Sequence, residues 1–421
     1  MAQATERTPS YAWYALALLM VVYILNFLDR TIIYILFPLI KKEMDFSDTQ
    51  LALLGTTSFV IFYTLLGIPF GRMADRGSRT KIIAIGVIVW SLFSGLTAFA
   101  NGFWTLFFCR VMVGVGEATL GPAAISLLAD YFPPIKRATV TSIYSMGIAI
   151  GAGLAALLGG SLSQFGWRTA FLVVGFPGLI LGILVFLLRE PDRTTAAITD
   201  SNYTSTDWKR LLTNKTFVVL CLGYALLGLA TNSLSIWGAT FYSRVHKVDI
   251  PTIGFWAGIL TLAAGIPATL FGGVIADRFR KWRPGGRMLY GSLLAFISVP
   301  FWLVVIYTEN VALIFVANFV LLAAALAWLG AAAADATEIA GVHLRGLAIA
   351  VLFFAVNIAA YLIGSNTIGF LNDRFGVAVD PAVMRYALLV CPAACLLSGL
   401  ILLTGSRLRN RESESLSQPT E

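Results

Sequence analysis

The sequence predicts an all-α integral membrane protein with twelve transmembrane helices in two pseudo-symmetric six-helix bundles. Three observations carry that prediction. Of the 421 residues, 58% are hydrophobic and 12% charged, where soluble proteins carry roughly a quarter charged residues. The apolar residues fall in about twelve runs, each long enough to cross a hydrocarbon core of roughly 30 Å. A short polar signature that follows the second run returns after the eighth.

The runs lie at residues 11–39, 50–70, 82–100, 103–130, 139–163, 168–189, 216–243, 252–275, 288–307, 311–336, 347–371 and 382–406. Lys and Arg gather in alternate short loops, and the positive-inside rule then predicts both termini in the cytoplasm. Residues 1–10 lack the charged region and cleavage site of a signal peptide, so the first span is expected to stay. One long polar connection, Arg189 to Lys215, predicts an N-terminal bundle over 1–190, a cytoplasmic linker over 191–215 and a C-terminal bundle over 216–406. Residues 407–421 carry Arg407, Arg409 and Arg411 followed by Glu412, Glu414 and serines, and are predicted to be a disordered cytoplasmic tail. Trp13, Trp104, Trp167 and Trp256 fall near span ends, where interfacial aromatic belts form.

The repeat supports the division. Gly71-Arg72-Met73-Ala74-Asp75-Arg76 follows the second run, and Gly273-Val274-Ile275-Ala276-Asp277-Arg278 follows the eighth. Arg137-Ala138 before the fifth run is echoed by Arg345-Gly346 before the eleventh. Two copies of a six-helix unit in the same orientation are related by an axis along the membrane normal.

Several chemistries are excluded. The net charge of +8 raises nucleic acid as a partner, but the basic residues sit in short loops between apolar runs, so none is expected. Cys109, Cys221, Cys391 and Cys395 all lie inside apolar runs without metal-ligand spacing, so neither a disulfide nor a metal site is predicted. No phosphate-binding loop or dinucleotide fingerprint is present, no cofactor is expected, and the chain does not read as an enzyme. His246 falls in an outer loop and His343 in an inner one, where solvated loop residues are expected rather than members of a proton relay.

The first run holds Asp29 and Arg30 side by side, and the fourth holds Arg110 and Glu117. A charge at mid-membrane costs about 2.5–3.5 kcal/mol even on the lenient insertion scale, so these four must be paired, wetted or useful. Arg110 and Glu117 are two turns apart on one helix face, and Asn26 can reach either Asp29 or Arg30. Spans one and four are therefore expected to meet across a polar pocket, with Asp29 near Arg110 or Arg30 near Glu117. Asp29, with Glu117 as its alternate, is the expected proton-coupling carboxylate, because burial and a cationic neighbour act on it in opposite senses. Arg30, Arg110 and Asn26 are expected to hold a substrate head group, Arg being suited to phosphate or carboxylate. The competing reading is a buried salt-bridge cluster that only locks helices together.

In the second half the positions matching Asp29 and Arg30 are Thr231 and Asn232, and span ten reads as a Leu–Ala run around Ala323 to Trp328. Tyr34 in span one, Asn232, Ser233 and Trp237 in span seven, and Asn357 and Tyr361 in span eleven are expected to line the cavity, with plain helix contacts as the alternative. The loop signatures suggest a cytoplasmic gate built from Gly71, Asp75, Arg76, Arg79, Arg137, Asp277 and Arg278, with Lys81 and Glu190 extending the network. Asp75 is the telling member, since an acid among so many bases is not needed for orientation.

The run Gly71 to Lys81 resembles the loop signature of the major facilitator superfamily, and Arg110-x-x-x-Gly114-x-Gly116-Glu117-Ala118 resembles its span-four motif. Asn26-Phe27-Leu28-Asp29-Arg30, Gly114-Val115-Gly116-Glu117-Ala118 and Leu128-Ala129-Asp130-Tyr131-Phe132 are similar to the spinster family, bacterial spinster homologues included. That resemblance implies a multi-pass transporter of a bacterial inner membrane, expected to act as a monomer by alternating access. It also implies proton coupling and an amphiphilic substrate with a charged head, of the lysophospholipid or sphingosine phosphate kind. Anion symporters of the superfamily share the Asp-Arg and Gly-x-Gly-Glu-Ala patterns, so a proton-coupled sugar-acid symporter is the alternative, and a non-transporting membrane sensor a remoter one. Span five has Gly147 to Gly153 without the Gly-Pro of the superfamily's drug antiporters, which argues against that class.

Overall fold

The computed structural model describes residues 10–191, 205–341 and 344–417. Among them twelve helices are long and apolar enough to cross a membrane, and no strand is present. Spans one to six are Ser10–Met44, Asp48–Gly67, Arg79–Phe99, Phe103–Tyr131, Ile135–Phe165 and Trp167–Phe186. Spans seven to twelve are Lys215–Val245, Ile250–Trp282, Gly286–Tyr307, Val311–Ala340, Arg345–Phe375 and Pro381–Ser413. Polar side chains start several of them: Ser78 accepts from the Lys81 N–H ahead of span three, and Asn214 from the Phe217 N–H ahead of span seven.

The chain forms two compact units. The first comprises Met1–Phe46, Leu53–Asp200 and Ile250–Gly258, the second Ser47–Ala52, Ser201–Asp249 and Ile259–Glu421. The boundary falls in the polar connection, but two short segments change sides relative to the predicted bundles. Both exchanges have a packing reason. A Cβ on Gly254 would lie 2.5 Å from the Ala156 carbonyl, so the start of span eight closes directly onto span five. The five-residue helix Asp48–Ala52 packs against span eleven, where a Cβ on Gly369 would lie 2.8 Å from the Asp48 carbonyl.

In the first unit, glycine decides where span one lies. A Cβ at Gly151 would meet the Ile24 carbonyl at 2.5 Å, and one at Gly159 the Ile35 side chain at 2.2 Å, so spans one and five approach at backbone contact. Span four is broken near Ala118 and Thr119 into Phe103–Glu117 and Leu120–Tyr131. Two further helices carry a π turn, Leu53–Thr57 in span two and Ile358–Gly364 in span eleven, a feature that often marks functional segments.

In the second unit the final helix runs through Ser417, where the sequence predicts disorder from residue 407. The prediction fails because the polar tail finds polar partners. The Asn410 side-chain oxygen Oδ1 accepts from the Gly285 N–H at 2.8 Å, Glu412 accepts from the buried Thr216 hydroxyl at 2.5 Å, and Arg409 reaches Glu338. Residues 192–204 of the linker, His343 and residues 418–421 lie outside the described residues.

Candidate functional site

The residues around Gly116 form a three-helix junction. A Cβ on Gly114 would lie 2.7 Å from the Phe59 carbonyl of span two, and one on Gly116 would lie 2.7 Å from both the Gly86 carbonyl and the Trp90 amide of span three. Only glycine permits that approach, and it delivers the next residue, Glu117, into the centre of the unit. Asn26, Asp29, Arg30, Arg110 and Glu117 are all buried there, none more than 8% exposed.

Of the two pairings the sequence leaves open, the structure makes Arg30 with Glu117. Arg30 donates from Nη2 and Nε to Glu117 Oε2 at 2.9 and 3.1 Å. Its guanidinium carbon also stands 4.8, 4.5 and 4.6 Å from the ring centres of Phe27, Phe59 and Tyr63, within cation–π range of all three. Tyr23 stacks on Tyr144 at 4.3 Å, extending this aromatic wall onto span five.

Asp29 and Arg110 do not pair through their side chains. Arg110 donates instead to the main-chain carbonyls of Asp29 and Arg30, both at 3.4 Å. Asp29 Oδ1 accepts from Ser94 Oγ of span three at 2.6 Å, while Asp29 Oδ2, Glu117 Oε1 and Asn26 Nδ2 are buried without a hydrogen-bond partner. Burying a carboxylate with one oxygen unpartnered costs free energy that a single hydroxyl does not offset.

The predicted cavity-lining residues divide. Tyr361 donates to Asn232 Oδ1 at 3.0 Å, joining the π turn of span eleven to span seven, and Asn357 is half-buried beside that turn. Tyr34, Ser233 and Trp237 are buried and donate to the carbonyls of Gly55, Leu229 and Ser365, so they serve helix packing rather than an open lining. Arg110, at 0% exposure and committed to the main chain, is likewise placed to fix span one and not to reach a head group.

Of the predicted gate residues, Arg79 is the hub of a cluster. It donates to Glu190 Oε1 at 2.7 Å and to Asp130 and Ser126, while Ser78 and Thr80 also donate to Glu190. Burial pushes the Glu190 carboxyl up, but the Thr80 amide, the Arg79 guanidinium and the two hydroxyls outweigh it and hold its pKa below the usual carboxylate range. Arg137 turns to the Phe132 carbonyl, Arg76 and Arg278 are exposed, and Gly71 sits beside Pro122. The side chain of Asp75 lies outside the described residues. Asp277 pairs with Arg287, which also holds Asp335 and Glu338.

Sequence reasoning missed several groups. Asp48 and Asp335 are two further buried carboxylates near span ends. Asp48 pairs with Arg244 at 2.6 Å and accepts from Asn372 at 3.0 Å, and Asp373 accepts from the Asp48 and Thr49 amides. Asp48 sits just ahead of the second run, where a polar loop is expected, and Asp335 falls at the last turn of the tenth run, where a charge is ordinarily taken as the start of the following loop. His246 is half-buried against Phe241 rather than solvated, and burial followed by the nearby Arg385 lowers its pKa. Ser94 carried no signal at all, and the phenyl and phenol rings around Arg30 look like any other apolar residues.

The Major Facilitator Superfamily model matches residues 19–359. An MFS-type efflux pump of Mycolicibacterium smegmatis is 28% identical over 94% of this chain and 93% of its own length. Protein spinster homolog 1 of Xenopus laevis is 30% identical over 66% of this chain, a match that spans 57% of that protein. Among solved structures, a bacterial homolog to the human lysosomal transporter Spinster, inward-facing and unoccupied, superposes with a TM-score of 0.80 at 26% identity, covering 97% of this chain and 98% of that one. With twelve spans, a buried charge cluster on spans one and four and these likenesses, the chain belongs to the Major Facilitator Superfamily as a multi-pass membrane transporter resembling the spinster family.

Proposed function

We propose that the protein is a proton-coupled secondary transporter that works by alternating access in a bacterial inner membrane, with both termini cytoplasmic, and moves an amphiphilic substrate with a charged head. The observation that carries this reading is the buried pair Arg30–Glu117 beside Asp29, a carboxyl with one oxygen on Ser94 and the other without a partner. Asp29 carries the proton, with Glu117 Oε1 as the alternate acceptor. Arg30, the most exposed of the four buried charges at 8%, anchors the anionic part of the substrate when Glu117 lets go.

The rings of Phe27, Phe59 and Tyr63 around Arg30 suit a head group joined to an apolar body, of the lysophospholipid or sphingosine phosphate kind, better than a fully hydrated sugar acid. A buried ion pair is a weak source of stability compared with an apolar pair of the same volume, which argues for use over mere scaffolding.

The test is uptake into proteoliposomes under an imposed pH gradient, with a monoacyl phospholipid and a sugar acid offered side by side. Asp29→Asn should lower gradient-driven uptake at least about tenfold, the scale set by losing one charge-linked step, and leave the melting temperature near wild type. Full gradient-driven uptake by that variant would sink the proton assignment. Accumulation of the sugar acid alone would remove the amphiphile.

A further inference from the structure

We infer that Ser94 is a positioning residue for the proton step: its hydroxyl holds the Asp29 carboxyl by Oδ1 and leaves Oδ2 as the atom that takes the proton. The inference rests on the reading of Asp29 as proton carrier and goes beyond it to span three, which no motif marks.

The geometry of the hydroxyl is the first argument. A serine or threonine inside a helix ordinarily donates back to the carbonyl four residues earlier, and Thr31, Ser58, Thr97, Thr231, Ser233 and Ser298 all do so here. Ser94 gives up that bond and crosses to span one, donating to Asp29 Oδ1 at 2.6 Å.

The second argument is how firmly Ser94 is placed. Span six lies directly on its backbone: a Cβ at Gly175 would stand 2.3 Å from the Gly95 amide and 2.8 Å from the Ser94 carbonyl carbon. A Cβ at Gly95 would meet the Phe176 ring at 2.8 Å. Span three cannot drift from span one at this level without breaking both contacts.

The third argument is the inventory around the carboxyl. Span four brings Arg110, spent on main-chain carbonyls, and Glu117, paired with Arg30 of span one. Span three brings only neutral donors, Ser94 and Trp90, which faces Asp29 one turn earlier with its indole Nε1 buried and unpartnered. Ser94 is thus the side chain whose hydroxyl bonds Asp29 Oδ1, at 2.6 Å, with the Trp90 indole facing the same carboxyl. With Oδ1 so held, a proton on Oδ2 removes the charge without disturbing the hydroxyl. In the ionised form Ser94 supplies the hydrogen bond that makes release possible, so the residue sets the pH at which the proton comes and goes.

The test is infrared difference spectroscopy on the purified full chain, following the carbonyl band of the protonated carboxyl that disappears in Asp29→Asn. Ser94→Ala removes the donor to the charged form, so the midpoint pH of that band should rise by about one to two units, the equivalent of one hydrogen bond to a charged group. The band itself should move to higher frequency. Ser94→Cys, a weaker donor of similar shape, should fall between the two. A Ser94→Ala protein with the wild-type midpoint and an unmoved band would overturn the inference while leaving the proton role of Asp29 intact. If no band depends on Asp29 at any pH, the proton reading beneath it falls, and this inference with it.

Discussion

Arg30 and Glu117 meet at a depth where neither ion can be left alone. The pair is desolvated, with side-chain exposures of 10% and 0%, so removing one partner strands the other at a cost of about 3–5 kcal/mol. Replacing both with apolar residues of similar volume carries no such cost. Arg30→Ala should therefore lower the melting temperature of the purified protein sharply, Arg30→Met with Glu117→Leu should recover most of it, and neither should transport. A double variant no more stable than the single one would show that the pair is not stabilised by mutual charge compensation. The four charges were legible in the sequence because a charge in an apolar run stands out on any hydropathy scale. Which of them pair was not, since that depends on the rotation of spans one and four about their axes. Ser94 was invisible for a simpler reason: a hydroxyl in a helix has a default partner in its own backbone, and only the tertiary structure shows that Ser94 declined it.

Helix placement in the first unit follows from where side chains are missing. The Gly114-x-Gly116 pattern was readable as a motif, and the structure supplies its physical content: two successive contacts at van der Waals limit, one to span two and one to span three. Gly116→Ala forces a methyl group to 2.7 Å from two backbone atoms, which cannot rotate away as a side chain can, so it should cost at least about 1–3 kcal/mol through overpacking. Gly273, in the interior of span eight with nothing within 4 Å of the same position, is the control. There alanine should be neutral or gain up to about 1 kcal/mol from helix propensity. Thermal unfolding of the two variants decides the matter, and equal melting temperatures would mean that span four is not wedged where the junction puts it. The polar tail shows the opposite limit of pattern reading. Arg407 to Glu412 has no apolar stripe to betray a helix, yet Asn410 and Glu412 bond to Gly285 and Thr216 of the second unit and the helix continues.

The two units differ in buried charge at matching positions. Asp29, Arg30, Arg110 and Glu117 are all in the first, while the matching positions of the second hold Thr231 and Asn232, each bonded within its own helix to a carbonyl. At the ends that carry the basic loops, each unit is tied by its own ionic cluster: Arg79 with Glu190 and Asp130 in the first, Arg287 with Asp277, Asp335 and Glu338 in the second. Such ties hold helix ends within a unit and favour motion of each unit as a body over internal rearrangement. If protons act through Asp29, lowering pH should change the distance between a spin label at Ile135 of the first unit and one at Trp282 of the second, sites 87% and 84% exposed. A pair within the second unit, at Leu212 and Trp282, should keep its distance distribution at every pH. In Asp29→Asn the first pair should lose its pH dependence while its distance still responds to a monoacyl phospholipid, because binding and protonation are separate biases on one two-state equilibrium. A within-unit distance that shifted as far as the one between units would end the rigid-body account, and a pH response that survived Asp29→Asn would move the proton to another group.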